Sequence, residues 1–254
     1  MVSIQSAART KTSPPAARSD ADIHACLVDG LRGQLLRPGL RLREDELGDA
    51  FGVSRTRIRQ VLIRLASEQL VTLVPHAGAR VAEPSPQEAR EVFQARRLIE
   101  PTLLEAFVDR AKPAQLRALR QWVLDEEAAR AAGRRHDAIR MAGSFHLHIA
   151  QHAGNATLAR MLGELVSRTS LVLMCYGPAQ IRDPGPAEKQ SGAACGCQEH
   201  RTVMAALVLR DQRAATRAML EHLTRLEDQL TLESAGRPPQ MLAQTLGLGL
   251  GLAR

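Results

Sequence analysis

Two sets of residues in this 254-residue chain have types and spacing that can do chemistry. The first is Arg55, Thr56, Arg57, Arg59, Gln60 and Arg64, a run with no acid before Glu68. Ile58, Val61, Leu62 and Leu65 interleave with it at i, i+3, i+4 and i+7, so a helix here buries one side. Thr56 and Gln60 fall opposite that side, edged by Arg55 and Arg59, with Arg57 and Arg64 on the other edge. Arginine forks grip guanine edges in the major groove, and Thr and Gln reach phosphates or bases. The competing reading is a solvated helix face. The second set is drawn from eight histidines, three of which occupy helical positions: His146, His200 and His222. Neutral imidazoles are metal ligands, and they also line pockets as hydrogen-bonding groups. Spacing alone does not show whether these three converge.

Smaller features add to this. Arg96 and Glu100 stand at i, i+4, either a clamp for a carboxylate or an intrahelical ion pair worth roughly 0.2–0.5 kcal/mol. Cys195-Gly196-Cys197 precedes His200, but its spacing is not the usual Cys-x-x-Cys of a metal or redox pair, and a loop of small residues is expected. His148 and His152 read as surface residues.

The elements that must position these groups follow from periodicity and punctuation. Residues 1–19 are polar and aperiodic and read as a mobile arm; 234–254, punctuated by Pro and Gly, read as a loose tail. Between 20 and 82, Ile23, Leu27, Leu31 and Leu35 predict a helix stopped by Arg37-Pro38-Gly39. A short helix follows over 44–51, then the turn Gly52-Val53-Ser54 with Ser54 as the cap of the arginine-rich helix. Val71–Val74 and Ala79–Val81 predict two strands around Pro75-His76-Ala77-Gly78. Three helices and a hairpin are the order of a winged helix-turn-helix. The tip residues His76, Gly78 and Arg80 form the wing, Gly78 permitting the turn and the other two reaching phosphates. From 85 to 233 the chain reads as wholly helical. Ser85-Pro86-Gln87-Glu88 is a capping box with proline at the first helical position. Breaks near Lys112-Pro113, Gly133, Gly154-Asn155, 177–196 and Arg210-Asp211 give about six helices in a bundle. The expected fold is therefore mainly α, a winged helix-turn-helix followed by an all-helical bundle.

Composition narrows the functions. The net charge is +7, and all but three of the 34 basic residues (Lys11, Lys112, Lys189) are arginine, which suits a polyanionic partner. Aromatics are only 2%, which argues against single-stranded nucleic acid or sugar binding on stacking platforms. Neither a long apolar span nor a signal-peptide core is present, and four cysteines are too few for a disulfide scaffold. A cytoplasmic protein is expected, with no membrane partner.

The runs Leu40-Arg41-Leu42-Arg43-Glu44-Asp45-Glu46-Leu47, Phe51-Gly52-Val53-Ser54-Arg55-Thr56-Arg57-Ile58-Arg59 and Leu65-Ala66-Ser67-Glu68-Gln69-Leu70-Val71 resemble the GntR family of bacterial transcription regulators. The helical block resembles the FadR-C-type ligand-binding domain, FCD. The resemblance covers roughly residues 20–232. It implies a homodimer on double-stranded, palindromic operator DNA, contacted by Ser54, Arg55, Thr56, Arg59, His76 and Gly78, to which the helix face and the wing read above add Gln60 and Arg80. It departs at Gln60-Val61, where the family often has Glu-Ala. It also implies that His146, His200 and His222 hold a divalent ion such as Zn or Ni, joined in the family by an Asp four residues before the first. Here that position is Ala142, so metal binding and direct hydrogen bonding to an organic effector both stay open. Arg96 matches a family arginine that faces the cavity, and the implied effector is a small organic acid. Two other classes share these features: a constitutive DNA-binding dimer without effector, and a metal-dependent hydrolase, which has no convincing general base and leaves the winged helix unused.

Overall fold

A computed structural model describes residues 18–74, 78–178 and 196–232. The expectations for residues 1–17 of the arm, for His76 at the wing tip, for Cys195 and for the tail lie outside these residues.

The first helix, α1 (Asp20–Arg32), is opened by a capping box in which Ser19 and Asp22 satisfy each other's amides. It ends five residues before the expected Arg37 stop. The chain turns at Gly33 and Gln34, the latter with φ 59°, and this shifts the phase of the apolar row. Leu35 is therefore 38% exposed, and Leu36 takes the buried place. After α1 come β1 (Arg41–Leu42), α2 (Glu44–Phe51), α3 (Arg55–Ser67), β2 (Val71–Val74) and β3 (Gly78–Val81). The sheet order is β1-β3-β2, antiparallel throughout, with Leu42 opposite Ala79 and Val71 opposite Val81. The third strand, β1, is an addition to the expected hairpin. Two residues are too short a run to show period-2 alternation, so its partner β3 defines it.

Six further helices follow among the described residues: α4 (Pro86–Arg110), α5 (Pro113–Ala131), α6 (Arg135–His152), α7 (Ala156–Tyr176), α8 (Gly196–Val208) and α9 (Gln212–Asp228). Their boundaries fall at the punctuation read from sequence. Ser85, Asn155 and Asp211 each cap a following helix through a side-chain oxygen. None of the described helices is long and apolar enough to cross a membrane.

The cores explain the arrangement. Ile23, Leu27, Leu47, Ile58, Leu62, Leu65 and Val81 form one cluster, and α7 contributes Leu171 and Met174 to it. A second cluster gathers Leu103, Phe107, Leu119, Phe145, Leu162, Val203, Met219 and Leu223 from all six later helices. The helix α7 thus belongs to both cores, and the histidines lie among the helices of the second.

Candidate functional site: a histidine cluster and an arginine-rich helix

His146 on α6, His200 on α8 and His222 on α9 meet inside the bundle. All three are buried, and one ligand atom from each lies within 4.8 Å of the other two. Each ring is aimed by a carboxylate from a different helix. Glu100 of α4 meets Nδ1 of His146 at 2.6 Å, Glu126 of α5 meets Nδ1 of His200 at 2.7 Å, and Glu199 of α8 meets Nδ1 of His222 at 2.6 Å. Phe145, next to His146 in sequence, stacks on His200 with ring centroids 4.4 Å apart. The carboxylates assign the tautomers: Nδ1–H donates outward, leaving the Nε2 lone pairs turned inward.

Burial disfavours a charge on His146 and on His222. Burial pushes His146 down to about 4 against the opposing pull of Glu100. It pushes His222 down to about 3 against Glu199. Burial alone would raise the Glu100 carboxyl, but Arg96 and His146 together hold it far below the usual carboxylate range. Glu126 and Glu199 are likewise lowered: burial opposes, but bonds to His200 and Arg130, and to His222 and Arg225, outweigh it.

Inward lone pairs need something between them. Nε2 of His200 and Nε2 of His146 are 3.3 Å apart, and Nε2 of His222 is buried with no hydrogen-bond partner. A tetrahedral ion with metal–nitrogen bonds of about 2.0–2.1 Å holds two of its nitrogens roughly 3.3 Å apart. Outer carboxylates on ligating histidines are the usual support of such sites. The residues present fit a divalent ion. Ala142 lies one turn before His146 on α6 and brings no ligand atom.

Arg96 borders this cluster. Its Nε donates to Glu100 at 2.6 Å and its Nη1 to Thr169 of α7 at 3.3 Å, while Nη2 is buried without a partner. The ion pair expected with Glu100 is present. It is a buried pair with a free edge, and the Arg96 charge helps to lower both His146 and His222.

Sequence reasoning had not assigned Glu126 and Thr169. Glu126 had a readable signal, an acid on the apolar row Leu119, Val123, Glu126. Thr169 had none. In the sequence Glu100 reads only as a partner for Arg96. His148 and His152 are half-buried rather than superficial, because Nε2 of His148 reaches the Gln115 carbonyl at 3.1 Å.

At the other end of the chain, Ser54 caps α3 by accepting from the Arg57 amide. On the outward face, Thr56, Arg59 and Gln60 are exposed. Arg55 leans toward Asp45 at 3.5 Å. Arg57 is held by Asp20 at 2.6 Å and by the Arg18 carbonyl, and Arg64 by Glu68. Arg80 on β3 is exposed and bonds the Gly39 carbonyl. Gly78 has φ 85°, a left-handed backbone that any side chain would strain.

Comparison with known proteins agrees with this architecture. Residues 21–81 match the gntR family of bacterial regulatory proteins and residues 91–225 match the FCD domain. A transcriptional regulator of Streptomyces ambofaciens, described as lying in an unstable DNA locus, is 30% identical over 80% of this chain and 81% of its own. The Uxu operon transcriptional regulator of Escherichia coli is 26% identical over 87% and 90%. The solved structure of E. coli McbR/YncC superposes with a TM-score of 0.72 at 22% identity, covering 81% of this chain and 93% of that one. The chain belongs to the GntR family and carries an FCD domain. It is a DNA-binding transcriptional regulator, not an enzyme.

Proposed function

We propose that this regulator is ligand-responsive, with residues 20–82 reading DNA and 85–233 sensing a small carboxylate and joining two copies into a dimer. The observation that carries the reading is the convergence of three carboxylate-anchored histidines beside the unpartnered Nη2 of Arg96. His146, His200 and His222 would hold a divalent ion through Nε2, and the ion would supply positive charge and an open coordination position. Local charge favours an anionic effector. Glu100, Glu126 and Glu199 are each matched by an arginine, Arg96, Arg130 and Arg225, and burial disfavours a charge on His146 and His222. A divalent ion therefore enters with neither charge compensated. A carboxylate would occupy the place that Ala142 leaves open and also meet Arg96.

In the DNA-reading unit, Arg59, Thr56 and Gln60 face the bases. Ser54, Arg55, Arg80, His76 and the Gly78 backbone fix position against phosphates. Two such units on one dimer suit a palindromic operator, and effector binding would change their spacing and so repress or release transcription of a metabolic operon. A cytoplasmic site of action follows from that role. The deciding experiment is calorimetric titration of a panel of small carboxylates into metal-free and zinc-loaded protein. Metal and effector should raise each other's affinity by the same factor. Equal affinity in both forms, or no loss in His200→Ala, overturns the metal-bridged site.

A further inference from the structure

The helix α7 carries two sets of contacts on opposite sides. Gly163, Ser167, Ser170, Leu171 and Met174 span about 100° of its circumference, and Thr169, Val172 and Tyr176 lie on the far side. The first set grips α1. Arg32, the last residue of α1, donates from Nε to the Ser167 hydroxyl at 2.9 Å and from Nη2 to the Gly163 carbonyl at 3.0 Å. Its own carbonyl accepts from Ser170 at 3.4 Å. Leu171 and Met174 complete the core beneath the recognition helix. A Cβ on Gly163 would sit 3.8 Å from Nη2 of Arg32, an ordinary van der Waals distance, so the guanidinium lies close along the helix backbone. Next to Arg32, the Gly33 carbonyl accepts from Nδ1 of His136 at 2.6 Å, on the same helix as His146.

The second set meets the histidine site and the connection between the two cores. Thr169 accepts from Arg96 and donates its own hydroxyl hydrogen bond to the Leu165 carbonyl. Tyr176 donates to the Pro84 carbonyl at 2.7 Å, just before α4 begins. Close-packed interiors move as units, so a shift at one face of a helix appears at the other.

We propose that α7 transmits the state of the histidine site to the recognition helix, with Thr169 as its receiving contact and Arg32 as its delivering one. The proposal rests on the ligand-responsive reading above. A divalent ion between the imidazoles, whose charge acts on nearby Arg96, or an anion on Nη2, re-aims a guanidinium whose Nη1 is bonded to Thr169. That displaces α7 against Arg32, and α1 carries the change to the α3 it packs on. Ser167 and Thr169 are positioning residues: neither offers a ligand to the metal or touches DNA.

Hydrogen exchange on the full chain tests this, with zinc ion alone as the probe and amides 29–36 at the end of α1 as the readout. In the wild type, zinc should change their exchange rates at least fivefold. In Ser167→Ala and Thr169→Val the change should fall below twofold, while zinc affinity stays within threefold of wild type. If zinc binds and these amides do not respond, or if both variants respond as the wild type does, the proposal is overturned and α7 is a passive support. If the wild type binds no zinc, the metal reading has failed, and Arg96→Met supplies the perturbation instead. A fivefold change at 29–36 that Ser167→Ala cancels then supports the α7 route, and no change overturns it.

Discussion

Glu199 precedes His200 in sequence, yet its carboxylate lies 2.6 Å from Nδ1 of His222, on the next helix. His200 is served instead by Glu126 of α5. Each carboxylate thus ties two helices together and fixes one inward lone pair. The histidine cluster is therefore also a cross-link of the bundle.

The carboxylates should control metal affinity without touching the metal. Glu126→Gln keeps the size of the side chain but no longer enforces Nδ1–H on His200. Loss of such an outer partner costs 10–100-fold in affinity in comparable sites. Calorimetric zinc titration of Glu126→Gln and Glu199→Gln should show losses in that range, with circular dichroism unchanged. Wild-type affinity in both would show that the carboxylates serve packing only.

Acid should destabilise the metal-free protein in a defined window. Burial holds His146 down at about 4 and His222 at about 3, whereas in the unfolded chain both take protons near 6.5. Below 6.5 the unfolded state binds more protons, so stability is full above that pH and falls as pH drops toward 4 and then 3. The loss is on the order of a few kcal/mol. Chemical denaturation from pH 7.5 to 4.5 measures it. A flat profile would mean that the rings are not desolvated as described.

On α3, Arg59 has no ion-pair partner among the described residues, whereas Arg64 is engaged with Glu68 at 3.2 Å. Arg59→Ala should weaken operator binding by about 1–3 kcal/mol and relax specificity at one base position. Arg64→Ala should cost less. Both can be read by footprinting on a duplex selected in vitro on the purified protein. Equal and negligible losses would remove α3 from the major groove.

Assembly is a separate expectation. One winged helix offers a modest interface, and linking two copies raises the effective concentration of the second. Sedimentation at micromolar concentration should therefore show a dimer. A monomer with full operator affinity would refute it.

Local signals in the sequence determined much of this protein. The caps at Ser54 and Ser85, the i, i+3, i+4 rows and the breaks at Gly133 and Gly154 each act within a turn or two of helix, so neighbouring residues suffice to read them. The same holds for the exposed face of α3. Tertiary structure decided where α1 stops, because the turn at Gly33 is held by contacts from α6 and α7, and it created β1, which exists only by pairing with β3. It also decided the site. The three histidine–carboxylate pairs join residues 46, 74 and 23 positions apart, on helices whose order in the chain does not give their order in space. The sequence held the residue types for an ion and an anion. Only the packing of α4, α5, α6, α8 and α9 turned the imidazoles toward one point and left the free edge of Arg96 beside them, because burial commits each polar atom to whatever partner the neighbouring helices bring.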